Sequence, residues 1–152
     1  QMCIRDSCCI DLKPDDFLKF GLLYARQGEW NDTQVVPASY VRESLSSHSA
    51  FYGYQWWLLN DAYFSSEVPI TVYAASGLHG QKIYVWPAAD VVVVVLTQYQ
   101  HFANQGYVLD LSDEGTNFPN TCSARNNCPG STGSTVPTFD ELQLIKLIDA
   151  LN

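Results

Sequence analysis

Apolar residues recur at helical spacing in two stretches near the start of the chain. The first opens with Pro14 followed by two carboxylates, which is typical of a first helical turn, and is closed by Gly28. The second begins at Pro37, a residue suited to a first turn, and runs to about Ser46. The pattern therefore predicts two helices, the first with an apolar face formed by Phe17, Phe20, Leu23 and Tyr24.

The spacing then changes to that of β-strands. Residues 52–59 are rich in aromatic side chains and predict a strand. The tight connection at 87–90 predicts antiparallel pairing of the strands on either side of it. The valine run at 91–95 has no polar alternation, so we expect that strand to be covered on both faces. Three further strands are expected over 70–75, 81–86 and 91–97.

The last third of the chain combines a polar stretch with an amphipathic helix. Residues 98–137 are rich in Gly, Asn, Ser, Thr and Pro and predict a long irregular insertion or lid. Residues 138–141 resemble a capping box in front of a helix with apolar positions at Leu142, Ile145, Leu147, Ile148 and Leu151. Helices, an antiparallel sheet and a covering helix together predict an α+β fold.

Length and charge narrow the classes of protein that fit. A chain of 152 residues, 47% of them hydrophobic, can bury one core and is expected to form one domain or part of one. The chain has only eight Lys and Arg residues, and its formal charge is -8. It therefore offers no basic surface, and no nucleic acid is expected as a partner. The longest apolar run, 91–96, is far shorter than the roughly 20 residues of a membrane-spanning helix. No transmembrane segment is expected.

The cysteines and the first residues are interpreted separately. Of the five cysteines, Cys122 and Cys128 lie close together in a turn-rich loop and are the candidate disulfide, with two reduced thiols as the alternative. No His or further Cys stands at ligand spacing, so neither a metal site nor a cofactor is expected. Residues 1–11 resemble a translated linker and are expected to be a non-native leader, with the domain over 12–152.

Four motifs in succession resemble β-lactamase-related hydrolases of the penicillin-recognising superfamily. They are the helix at 12–24, the Val-Pro-Ala-Ser-Tyr-Val start at 36–41, the Tyr-Gly-Tyr-Gln-Trp-Trp motif at 52–57 and the segment from Gly77 to Val93. The lack of a Lys-Thr-Gly triad near residues 77–81 is similar to the esterase and 6-aminohexanoate-oligomer hydrolase branch. The resemblance implies the C-terminal portion of a β-lactamase/transpeptidase-like fold, an antiparallel sheet flanked by helices, with the insertion at about 98–137.

The resemblance also implies a chemistry and a missing part. Such enzymes cleave an ester, amide or lactam through an acyl-enzyme, with the nucleophile in a Ser-x-x-Lys motif. This chain has no such motif, because the residues three before its lysines are Ile10, Asp16, His79 and Gln143. We therefore expect the nucleophile in a missing N-terminal part of the same domain, a periplasmic or secreted parent enzyme, and no activity from this fragment alone. The rival hypothesis is a non-catalytic secreted binding module or pseudoenzyme.

The resemblance places candidate site residues in the turn over residues 76–81. Its small residues would let a substrate carbonyl approach backbone N–H groups, as an oxyanion hole requires. The Leu78 N–H is the expected oxyanion donor, Gly80 keeps the turn open, and His79 either orients substrate or holds the turn. Further substrate contacts are expected from Ser76, Gly77 and Gln81. The alternative is a hairpin turn bracketed by glycines, with a satisfied histidine and no catalytic role.

Two tryptophans and two further histidines complete the candidates. Trp56 and Trp57 point to opposite faces if they lie in a strand. We expect Trp56 to face the cleft and bind substrate and Trp57 to pack in the core. His101 is interpreted as a solvated loop residue, and His48 has no visible partner in the sequence and no assigned function.

Overall fold

The computed structural model describes residues 12–64, 70–77, 81–97, 108–110, 135–137 and 141–150. This part of the chain combines helices with antiparallel strands, which confirms the mixed α+β class. The helices are α1 (Pro14–Ala25), α2 (Ala38–Ser44), α3 (Asp61–Phe64) and α4 (Glu141–Asp149). The strands are β1 (Glu29–Trp30), β2 (Thr33–Gln34), β3 (Trp57–Leu59), β4 (Val72–Ser76), β5 (Lys82–Trp86), β6 (Val91–Val95), β7 (Val108–Asp110) and β8 (Thr135–Pro137).

The centre of the fold is a four-stranded antiparallel sheet in the order β3-β4-β5-β6. Tyr84 of β5 lies opposite Ala74 of β4 on one side and Val93 of β6 on the other. The predicted antiparallel pairing of the last two strands is confirmed. Their connection is a short 3-10 turn (Pro87–Ala89) that ends at Asp90, whose φ of 54° is left-handed.

Each face of the sheet is covered by helices. Ile83 and Val85 pack with Tyr24 of α1 and Val41 of α2 on one face. Tyr84 packs on the other face, where the cluster includes Tyr63 and Phe64 of α3 and Ile145 and Ile148 of α4. The valines of β6 alternate between the two clusters, with Val92 and Val94 on one and Val91, Val93 and Val95 on the other. The expectation that this strand is covered on both faces is confirmed.

The predicted strand over 52–59 is shorter than expected. Only Trp57–Leu59 is a regular strand, whereas Tyr52 forms isolated bridges to Ser49 and to Trp57. Gln55 adopts a left-handed φ of 65°, and the Gly53 N–H donates to the Trp56 carbonyl over 2.8 Å. The aromatic composition predicted a strand because such residues have high β-propensity, and this propensity carries no information about the reversal. The chain instead folds back on itself just before β3.

Helix α1 contacts the sheet through a small residue that the apolar pattern did not single out. Gly21 is buried, and a Cβ at this position would lie 2.5 Å from Cγ1 of Val92 and 3.0 Å from Cγ2 of Ile83. A side chain would therefore force the helix away from the sheet. Phe20, one of the four predicted apolar positions, remains 36% exposed.

The insertion and the last helix are described in part. Within the predicted insertion at 98–137, β7 and β8 pair in parallel, so the stretch contains regular structure that its composition did not indicate. Helix α4 buries Ile145 and Ile148, as predicted, whereas Leu147 is exposed. Residues 1–11, the capping positions 138–140 and Leu151 lie outside the described residues.

Candidate functional site

The turn between β4 and β5 lies at one end of the central sheet. Ser76, the last residue of β4, pairs with Lys82, the first residue of β5. The Gly77 N–H donates to the Gln81 carbonyl over 2.7 Å and closes the turn. A Cβ on Gly77 would lie 3.1 Å from that carbonyl oxygen, so a larger residue would crowd the closure. Sequence-predicted residues Ser76, Gly77 and Gln81 are thus brought together.

The described residues of this turn differ in how open they are to a ligand. Ser76 and Gly77 are exposed, whereas Gln81 is half-buried. The predicted oxyanion donor Leu78, together with His79 and Gly80, lies outside the described residues. The same holds for His101 and for the cysteine pair Cys122 and Cys128.

Trp56 does not face a cleft as expected. Its side chain is 2% exposed, and its ring centroid lies 4.6 Å from that of Tyr24 and 6.1 Å from that of Phe20. Trp57 is half-buried and packs against the cluster on the other face of the sheet. The two rings do point to opposite faces, but the assignment of Trp56 to the cleft is wrong, because helix α1 supplies aromatic partners that cover it.

A buried ionic network stands directly after the turn, and sequence reasoning missed it. The Lys82 Nζ donates to the Glu141 Oε1 over 3.0 Å, and the Tyr84 hydroxyl donates to the same oxygen over 2.8 Å. Lys82 is 8% exposed and Glu141 is 2% exposed. Lys82 and Tyr84 are two residues apart on one strand face, which the sequence does indicate. Glu141 joins them only because α4 packs on that face.

This network ties the first turn of α4 to the strand that leaves the turn. Glu141 stands at the N-terminal end of α4, where the helix dipole favours a negative charge. A buried charge requires such a partner, since an unpaired one costs several kcal/mol. The Lys82 ammonium is therefore held by a carboxylate inside the fold, and this contact joins α4 to β5.

The described serines and histidine do not form a catalytic pair. The Ser44 hydroxyl donates to the Val41 carbonyl over 2.8 Å, and the Ser46 hydroxyl donates to the Arg42 carbonyl over 2.8 Å. His48 Nε2 lies 2.9 Å from the Glu43 carbonyl oxygen. Within the part of the chain that the structure describes, no serine hydroxyl bonds to a histidine.

The described residues contain no group of three or more His, Cys, Asp or Glu side chains arranged to hold a metal ion. None of the described helices has the length and apolar character needed to cross a bilayer. The chain matches no model of a known protein family, and no curated protein matches it.

Proposed function

We propose that the chain is the C-terminal part of a serine hydrolase that cleaves an ester, amide or lactam bond through an acyl-enzyme. The nucleophile and its lysine base would belong to a Ser-x-x-Lys motif outside the 152 residues. The observation that carries the proposal is the closed turn between the two central strands, bounded by the exposed Ser76 and Gly77. Such a turn can present backbone N–H groups to a substrate oxygen at the end of a rigid sheet.

The role of the turn follows from the charge that develops during acyl transfer. Attack of a serine oxygen on the carbonyl moves negative charge to the carbonyl oxygen, and the lysine accepts the proton of the serine hydroxyl. In the proposal, the Leu78 N–H and the N–H of the nucleophilic serine donate to that oxygen. The tetrahedral intermediate then collapses, the carbon–oxygen or carbon–nitrogen bond of the substrate breaks, and the departing oxygen or nitrogen takes the proton from the lysine. Water then attacks the acyl-enzyme, releases the acid and regenerates the serine hydroxyl. Gly80 leaves the space that the substrate carbonyl occupies.

Two structural features support this proposal. The order of elements, with two helices, an antiparallel sheet and a closing helix on the opposite face, agrees with the arrangement that the sequence resemblance implies. Lys82, the lysine nearest the turn, is buried in an ion pair with Glu141 and is not exposed to a ligand at the turn. The base is then expected to come from another lysine, as in the Ser-x-x-Lys chemistry.

The rival role, a binding module, has one surface in its favour. Tyr54 is exposed, and its ring stacks on His48 at 4.4 Å and lies 6.2 Å from that of Tyr40, which is also exposed. Exposed aromatic rings are frequent in recognition surfaces. The two roles differ in what the full gene must contain, since only the hydrolase needs a Ser-x-x-Lys motif ahead of Leu12.

The test uses the natural polypeptide that includes the sequence ahead of Leu12. A fluorophosphonate probe should phosphonylate one serine with loss of fluoride, and peptide mass mapping should place that serine in a Ser-x-x-Lys motif. The Gly80→Val change should lower turnover of an activated ester by about 100-fold to 1,000-fold per folded molecule, because the oxyanion donor is misplaced. Absence of the motif, or turnover of the variant within a few-fold of the parent, would contradict the proposal.

A further inference from the structure

A cavity of about 710 Å³ opens at the end of the sheet opposite to the turn. Its wall includes Arg42 of α2, Leu45 directly after that helix, and residues 70–71, which lead into β4. Thr71 directly precedes β4 and Ser76 ends it, so the two are five residues apart, about 17 Å at the usual rise per residue of a strand. The cavity is therefore distinct from the proposed oxyanion turn.

Arg42 brings a positive charge to this cavity. No carboxylate pairs with its guanidinium among the residues that the structure describes. Arg26, in contrast, forms a two-pronged ion pair with Asp90, with nitrogen to oxygen distances of 2.7 and 3.0 Å. Because Arg42 has no such neutralising partner there, it can offer a planar pair of N–H donors to an anion.

A second donor and an apolar wall narrow the chemistry of the ligand. Tyr73 lines the same cavity, and its hydroxyl has no hydrogen-bond partner within the described ranges. Burial raises the pKa of Tyr73, so the phenol keeps its proton at neutral pH and can donate it to an acceptor. Leu45, Ile70 and Pro87 add apolar surface to the wall. A ligand that fits has an acceptor group at one end and an apolar body.

We propose that this cavity binds a small organic carboxylate. Its carboxylate group pairs with the Arg42 guanidinium and accepts a hydrogen bond from Tyr73, and its apolar body lies against Leu45 and Ile70. A singly charged, planar carboxylate matches one guanidinium, whereas a phosphate dianion would call for further cations. The proposal is independent of the hydrolase assignment, because it uses a different end of the sheet and no acyl chemistry.

The experiment titrates the 152-residue chain with sodium benzoate and, separately, with benzamide, and follows the ligand signals by saturation-transfer NMR. Benzoate should bind about tenfold more tightly than benzamide or better, because a charge-assisted hydrogen bond is lost in the neutral analogue. Arg42→Gln should weaken benzoate binding about tenfold or more. Lys19→Gln removes the same charge from a surface ion pair with Asp16 and should leave the affinity within about twofold.

A variant at Tyr73 tests the second hydrogen-bond donor, and circular dichroism tests the folding of each variant. Tyr73→Phe should weaken benzoate binding about fivefold, since only the hydroxyl donor is removed. Near-ultraviolet circular dichroism of each variant shows whether its tertiary packing is kept. If Arg42→Gln does not fold, the comparison of benzoate with benzamide on the parent chain still decides. No benzoate binding, equal affinity for both ligands, or equal loss in the Arg42 and Lys19 variants would overturn the proposal.

Discussion

Replacing Lys82 with methionine should destabilise the protein strongly, because it leaves a buried carboxylate without its ammonium partner. Glu141 is 2% exposed and cannot regain water without moving α4 away from the sheet. Breaking a buried pair by removing one partner costs about 3–5 kcal/mol. The Tyr84 hydroxyl continues to donate to the same oxygen, so we expect Lys82→Met to cost about 3 kcal/mol, at the lower end of that range.

An exposed ion pair in the same chain provides the matched control. Lys19 Nζ lies 2.8 Å from Asp16 Oδ1, and the two side chains are 58% and 41% exposed. Because solvent screens this pair, Lys19→Met should destabilise the protein much less than Lys82→Met. The double change Lys82→Met with Glu141→Leu removes both buried charges and should be more stable than Lys82→Met alone.

The free energy of unfolding is measured by urea titration, followed by tryptophan fluorescence, with the slope of each transition compared to exclude a change in cooperativity. Equal losses for Lys82→Met and Lys19→Met would refute the reasoning. So would a double variant less stable than the single one, because the cost would then come from packing and not from the stranded charge.

The remaining predictions test packing, charge and backbone conformation. Trp56→Ala should lower the free energy of unfolding in urea titration by about 3–5 kcal/mol, and Trp57→Ala should lower it clearly less. The reverse order would instead favour Trp57 as the core tryptophan. The hydrogen bond from Arg26 lowers the pKa of Asp90 below its ordinary value of 3.8. The ion pair therefore stabilises the fold above pH 3.8, and this stabilisation is lost as the pH falls through the lowered pKa. Asp90→Asn should therefore lower the thermal midpoint slightly at about pH 6 and less at about pH 2, because this exposed pair is screened by solvent. An equal effect at both pH values would argue against the ion pair. Gly28 has a φ of 85°, and a Cβ there would collide with the Val36 carbonyl, so Gly28→Ala should cost at least about 1–2 kcal/mol. Unchanged stability of that variant would mean that the helix end relaxes freely.

Much of the element order could be predicted from local patterns. The two helices, the three later strands and the final helix are recognisable because each combines apolar spacing with a proline, glycine or capping signal at its ends. The motif at 52–59 failed, because its reversal depends on the left-handed Gln55 and on the bond from Gly53 to Trp56. Glutamine is not a residue type that favours a left-handed backbone, and one glycine among so many aromatic residues does not specify this reversal.

The candidate sites, too, were recognisable from the sequence only in part. The turn at 76–81 stands out because two glycines interrupt strand-like sequence, and the structure brings its described ends together through the bond from Gly77 to Gln81. The catalytic assignment of that turn stays a prediction. The cavity beside Arg42 could not be anticipated, because its wall combines residues from α2, β4 and the end of β5 that are distant in sequence.

The sequence by itself determined the type and order of most helices and strands, because hydrogen bonding and side-chain spacing within a helix or strand are local. Only the tertiary structure decided which aromatic ring is covered, since Trp56 is buried by α1, which packs on the same face of the sheet. It also decided that Lys82 meets Glu141, which is 59 residues away along the chain. Contacts at such separation depend on how whole elements pack, and no periodicity within one segment records that choice.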